Sequence, residues 1–164
     1  MISKYLHHIA AIAIFLLLIG LGAYMSDGMA HALLLPYAKL AELYFGASHE
    51  YIADVGFVEV GNRYILGRDC LGVNFSALFY LVTTVPFLNK LDGLRRTLWV
   101  ALCLPVAVIV GFIVNAIRVL GSIPFATYDR FTLTHAATGI TLYLVILTAS
   151  YAVLKKSFER KNTR

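Results

Sequence analysis

Charge is scarce in this sequence. Asp, Glu, Lys and Arg supply 14% of its 164 residues, whereas a soluble domain carries about a quarter. Apolar side chains reach 60%, more than a water-soluble chain of this length can hide. Cysteine is also nearly missing. Cys70 and Cys103 offer at most one disulfide, which excludes a disulfide-stapled secreted fold. Repeats and low-complexity tracts are absent, and the length suits one membrane-embedded domain over residues 1–164. The formal charge of +5 gathers in loops and at the C-terminus, a distribution that points to membrane orientation and away from nucleic acid.

What the sequence does contain is four apolar runs, at about 9–25, 71–88, 98–120 and 135–154. Each has the length of a bilayer span, roughly 17–25 residues. Lys4 before the first run imitates a signal peptide, but no small-x-small cleavage site precedes Ser26 and Asp27, so it is read as a retained anchor. The loop 89–96 carries Lys90, Arg95 and Arg96, and the tail carries Lys155, Lys156, Arg160, Lys161 and Arg164. With four spans these segments and Lys4 share one side, which the excess of positive charge makes cytoplasmic. The loop 26–69 sets three basic residues against six acidic ones, a net −3, as an extracytoplasmic segment would.

That loop has structure of its own. Residues 29–45 are apolar at first and then carry Lys39 and Glu42 at i,i+3, which predicts an interfacial or re-entrant helix; a full span there would reverse the parity of everything after it. Residues 55–60 and 63–66 flank Gly61-Asn62, a two-residue turn signal that predicts a β-hairpin leading to Cys70. The expected fold is therefore an all-α membrane protein: a bundle of about four transmembrane helices with an interfacial helix and a small extracytoplasmic β-hairpin.

This topology brings three reactive side chains to one depth. Cys70 opens the second span, Arg118 lies in the last turns of the third, and His135 opens the fourth. A lone membrane cysteine is commonly a packed small hydrophobe, and Cys103, inside the third span, is read that way. Cys70 instead stands at a helix start, where the macrodipole favours an anion. An arginine near a helix end often only snorkels. Asn115, one turn below Arg118 on the same face, points to an interior site. His7, His8, His31 and His49 are read as ordinary interfacial histidines.

The three types suit acyl transfer: a thiolate nucleophile, an imidazole that moves its proton, and a guanidinium that stabilises the oxyanion. One Cys and one His on different spans make a poor zinc set, and neither a metal nor a cofactor is implied. A non-catalytic membrane assembly or accessory protein also fits the hydropathy. A small transporter fits less well, because few ionisable groups lie at mid-span.

Cys70-Leu71-Gly72 matches a C-x-G motif, Asn115-Ala116-Ile117-Arg118 an N-x-x-R motif, and His135-Ala136-Ala137-Thr138-Gly139 an H-x-x-x-G motif. This ordered set resembles the exosortase/archaeosortase family, and the short chain is most similar to its exosortase K branch. The resemblance covers roughly residues 29–154. It implies a membrane cysteine protease and transpeptidase of the cell membrane. Such an enzyme cleaves the PEP-CTERM-like C-terminal sorting signal of exported proteins and passes them to an acceptor, a lipid or a cell-surface amine. Carried onto this sequence, it makes Cys70 the nucleophile, His135 the base and acid, and Arg118 the oxyanion or substrate clamp, with Asn115, Gly72 and Gly139 in positioning roles. Many family members have further spans before the motifs; here there is one, so the chain is a minimal core or shares its groove with another protein. Gly111 and Gly139 are expected to offer close-approach surfaces to a sorting-signal helix.

Overall fold

A computed structural model describes residues 2–126 and 128–162. Of the basic residues that orient the chain, Arg164 lies outside the described residues, as do the side chains of Lys4 and Lys161.

Helix α1 (Ile2–Ala23) is followed by α2 (Asp27–Phe45), strands β1 (His49–Ile52), β2 (Gly56–Glu59) and β3 (Ile65–Leu66), then α3 (Val73–Thr84), α4 (Gly93–Ser122) and α5 (Tyr128–Asn162). Among the described residues, four stretches are long and apolar enough to cross a membrane: Tyr5–Ala23, Arg68–Lys90, Gly93–Phe125 and Arg130–Arg160. They carry the four runs read from the sequence, with two differences. The first stops at Ala23 and not at residue 25, because the Ser26 hydroxyl accepts from the Met29 amide and starts α2 there. The second is not one helix. A 3-10 turn at Arg68–Leu71 precedes α3, and another at Val85–Lys90 follows it. Gly72 takes a left-handed conformation between the first turn and α3, and Pro86 cannot donate to the α-helical ladder in the second. α1 and α5 leave much of their apolar surface uncovered: Leu17 and Leu133 are each 72% exposed. Such a surface suits hydrocarbon, not water.

The chain gathers into two compact units. One comprises α1 up to Leu21, Val73–Gly111 and the part of α5 from Tyr143. Aromatic rings fill it: Phe75 stacks on Tyr143 at 4.2 Å, Phe87 on Phe158 at 4.9 Å, and Trp99 meets Phe158 edge-on at 5.4 Å. Arg96, counted above as an orienting charge, is buried here. Its guanidinium donates to the carbonyls of Leu88 and Leu91 and so closes the second 3-10 turn. Cys103 lines an apolar cavity of about 320 Å³ with Phe79, Trp99 and Leu102, a packing role.

The other unit comprises Gly22–Gly72 and Phe112–Leu142. Residues 29–45 are helical, as expected, and α2 buries Leu34, Tyr37, Ala38 and Ala41. Its Lys39–Glu42 pair, 2.7 Å apart, is largely exposed and so adds little stability. The expected hairpin exists as β2 and β3 but belongs to a three-stranded antiparallel sheet, β1-β2-β3. β1 has only four residues, too few for its alternation to register in the sequence. The connection from β2 to β3 also takes five residues, 60–64, where the Gly61-Asn62 signal predicts two. The Glu59 carboxylate explains this: it accepts from the Arg63 amide at 3.2 Å and from the Arg63 guanidinium at 2.6 and 3.1 Å, which organises the longer turn around itself. At the far end of the sheet, Asp27 accepts from the Tyr51 hydroxyl at 2.8 Å and the Asp54 amide at 3.1 Å, while Arg68 lies 3.7 Å from Asp27 and 3.6 Å from Asp54. Arg68 is thus engaged in tying α2 to the sheet.

The Arg63 hydrogen bonds hold the Glu59 carboxyl below its ordinary value of 4.5, and the Tyr51 hydroxyl does the same for Asp27. A carboxyl with a depressed folded value contributes stability above its unfolded value and loses it as pH falls through the folded one. Thermal unfolding in detergent should therefore shift to lower temperature as pH drops below about 4.5. Glu59→Gln should be less stable at neutral pH and should lose less on acidification. An equal acid response in the two proteins would remove Glu59 from this account.

Candidate active site

Every residue the three motifs single out lies in the second unit, at the ends of its helical elements. Cys70 sits in the 3-10 turn before α3, where its amide donates to the Gly67 carbonyl at 2.9 Å. It is 4% exposed, and its Sγ lies 3.6 Å from Nε2 of His135, which is 7% exposed. The two are 65 residues apart in sequence.

Arg118 and Asn115 join this pair from α4. Arg118 Nε donates to the His135 carbonyl at 3.0 Å, and its Nη1 lies 3.5 Å from Asn115 Oδ1. The Asn115 amide in turn donates to the Cys70 carbonyl. Asn115 is fully buried, so its polar groups need these partners. The expected i,i+3 pair therefore faces the interior and bridges the cysteine segment to the histidine segment.

The motif glycines have a steric reason. A Cβ on Gly139 would stand 2.6 Å from Arg118 Nε, and a Cβ on Gly72 would stand 2.7 Å from Asn115 Cβ. Each glycine thus seats a residue of the N-x-x-R motif. The expectation that Gly111 and Gly139 offer surfaces to a substrate helix is corrected here: Gly139 is occupied by Arg118, and a Cβ on Gly111 would collide with the Ser76 side chain.

Gly72 also has a φ of +68°, so Gly72→Ala meets both backbone strain and the Asn115 side chain. A left-handed alanine costs roughly 1–2 kcal/mol, and the overpacking adds about 1–3 kcal/mol. Gly93, at φ +45° with open space around it, isolates the backbone part. Unfolding in detergent should show Gly72→Ala clearly less stable than Gly93→Ala. Equal losses would mean that the Asn115 contact carries no weight.

Two residues of the site escape a sequence reading. Ser122, fully buried, donates from Oγ to the Arg118 carbonyl at 2.7 Å and stands 3.5 Å from His135 Nδ1. Its one proton is committed to the carbonyl, so toward Nδ1 it accepts. That leaves the ring proton on Nδ1 and the Nε2 lone pair facing Cys70. Phe131 stacks on His135 at 5.3 Å and on Tyr64 at 5.2 Å, fixing the plane of the imidazole. Only the i,i+4 spacings, Arg118 to Ser122 and Phe131 to His135, hint at either contact. Three of the other four histidines are used elsewhere: His7 bonds Thr97, His31 packs on Tyr51, and His49 bonds the Tyr64 hydroxyl. Burial pushes the Tyr64 phenol up to about 12, so it stays neutral.

A cleft of about 250 Å³ opens onto the sulfur and imidazole, lined by Tyr64, Ile65, Gly67, Asp69, Phe131 and Thr132 together with Cys70 and His135. Both cysteines are free thiols. Among the described residues no group of three or more His, Cys, Asp or Glu side chains is placed to hold a metal ion. A buried thiol beside an imidazole, with a guanidinium bonded to the carbonyl of that same histidine, supplies the kinds of group that nucleophilic acyl transfer uses. No family model, curated protein or solved structure matches this chain.

Proposed function

We propose that this chain is a membrane-embedded cysteine transpeptidase of the exosortase type. In this reading it crosses the cell membrane four times as a helical bundle, with both ends cytoplasmic and Cys70 facing the extracytoplasmic side. The observation that carries the proposal is the 3.6 Å approach of Cys70 Sγ to His135 Nε2 inside a network that includes Asn115 and Arg118. Cys70 lies near the start of the second apolar stretch, Arg118 near the end of the third and His135 near the start of the fourth. Alternate crossings put all three at one face.

His135 Nε2 takes the thiol proton, and Cys70 Sγ attacks the carbonyl carbon of the scissile peptide bond. The oxyanion that forms is stabilised by the Arg118 guanidinium. The C–N bond then breaks, the leaving amine receives the proton from His135, and a thioester remains on Cys70. A lipid-borne or cell-surface amine attacks that thioester and gives its proton to His135, and the released sulfur takes it back. The substrates are exported proteins that end in a PEP-CTERM-like signal: a short motif, an apolar helix and a basic cluster. Asn115 holds the Cys70 main chain in place for attack, and Gly72 and Gly139 allow Asn115 and Arg118 their positions.

The thioester gives a direct test. The purified chain, incubated with a secreted reporter fused to such a signal from the same genome, should form an adduct at Cys70. Neutral hydroxylamine should release it as the reporter hydroxamate. Cleavage without any Cys70 adduct would remove the proposal. Ser122→Ala, which frees the imidazole to rotate or change tautomer, should lower kcat about tenfold at nearly constant KM, the scale of one lost hydrogen bond. Ser122→Thr should restore most of it, since the hydroxyl returns. A loss confined to KM would exclude this positioning role.

A further inference from the structure

β3 is an edge strand: among the described residues the sheet ends there, with β2 on one side only. The Glu59 amide donates to the Tyr64 carbonyl at 3.2 Å, so Tyr64 turns its main-chain groups toward β2. Antiparallel pairing alternates residue by residue. Ile65 therefore directs its N–H and C=O away from β2, Leu66 turns back, and Gly67 directs its N–H outward again. The backbone stays extended through Gly67, at φ −91° and ψ −176°. Ile65 and Gly67 both line the cleft that contains Cys70 and His135.

Proteins commonly blunt an exposed edge with lysine, proline or a bulge. β3 is itself short, at two residues, but the edge Tyr64-Ile65-Leu66-Gly67 carries neither lysine nor proline. The opposite edge, β1, begins His49-Glu50 and so carries a charge. The cleft, at about 250 Å³, is smaller than the roughly 300–1,000 Å³ of ordinary small-molecule pockets. It suits a few residues of extended main chain better than a folded ligand.

We propose that the substrate segment next to the scissile bond binds as a fourth strand along β3, hydrogen-bonded to the main chain of Ile65 and Gly67, and so delivers its carbonyl to Cys70. Affinity then comes from backbone bonds, and selectivity from alternate side chains that enter the cleft between β3 and the first turns of α5. A loose sequence requirement around the cleavage site follows, with every second position tolerant. This inference rests on the transpeptidase reading and adds how that enzyme holds its substrate.

A disulfide walk tests it. The full chain carrying Cys70→Ala and Ile65→Cys is co-expressed with the secreted reporter described above, which bears single cysteines at successive positions around its cleavage site. Strand addition expects crosslinks at alternate positions. Crosslinks of equal yield at consecutive positions, or none at all, overturn it whenever the unaltered chain processes that reporter in a Cys70-dependent way. A reporter that Cys70→Ala still cleaves defeats the transpeptidase reading itself and the strand with it. Ile65→Pro supplies a second measurement, because proline is tolerated at an edge but lacks the outward N–H. KM for the reporter should rise about tenfold, while N-ethylmaleimide should label Cys70 as before, showing an intact pocket. An unchanged KM counts against the strand.

Discussion

Cys70→Ala should abolish processing of a signal-bearing reporter, lowering kcat by about 10⁴-fold or more, as loss of a nucleophile does where catalytic groups act as a unit. The reason is chemical. Alanine offers no atom to form the thioester, and His135 alone cannot replace the covalent step with a direct attack by an acceptor held in place. The substitution is also a small structural change, because Cys70 is held mainly through its main chain: its amide bonds the Gly67 carbonyl, and its carbonyl accepts from Asn115. Expression and thermal stability should stay near those of the unaltered chain, so the loss can be assigned to chemistry. Cys70→Ser is the sharper comparison. It keeps the geometry and offers a hydroxyl that His135 is poorly matched to activate, and it should be nearly as inactive as alanine. Processing that survives both substitutions would move the nucleophile elsewhere.

Loss of Arg118 should come next in size. Removing a preorganised oxyanion donor costs on the order of 10²–10³-fold in kcat, and Arg118→Ala should fall in that range. Arg118→Lys should recover only part. A lysine keeps the charge but not the fork that reaches the His135 carbonyl and Asn115 at once. Gly139 allows an independent approach to the same group. A Cβ at Gly139 would sit 2.6 Å from Nε and 3.0 Å from Cζ of Arg118, so Gly139→Ala must displace the guanidinium without changing its chemistry. Its effect should approach that of Arg118→Ala, and the double variant should be little worse than Arg118→Ala alone, since residues in contact are not additive. Strictly additive losses would mean that Gly139 acts through something other than Arg118.

Much of this arrangement is written in local sequence, and the exceptions are instructive. The four apolar stretches, the helical α2 and the presence, but not the length, of the turn beside Arg63 follow from residue type and short-range spacing. β1 escapes notice because four residues, His49–Ile52, are too few for a period of two to stand out. Ser122 looks like any small residue in an apolar helix. Its importance comes from His135 Nδ1, 13 residues away along the chain. Arg96 reads as a loop charge, yet it is buried and closes the turn before α4 through the Leu88 and Leu91 carbonyls.

The amino-acid sequence alone determined which stretches avoid water and which side chains carry reactive atoms, because both are properties of single residues and their near neighbours. It also marked Cys70, Asn115, Arg118 and His135 as one set through three short motifs. Only the tertiary structure decided that Sγ meets Nε2, that Asn115 reaches the Cys70 carbonyl across 45 residues, and that Gly72 and Gly139 make room for the N-x-x-R side chains. Those facts depend on distances between segments remote in the chain, and no local pattern of hydrophobicity or charge contains them.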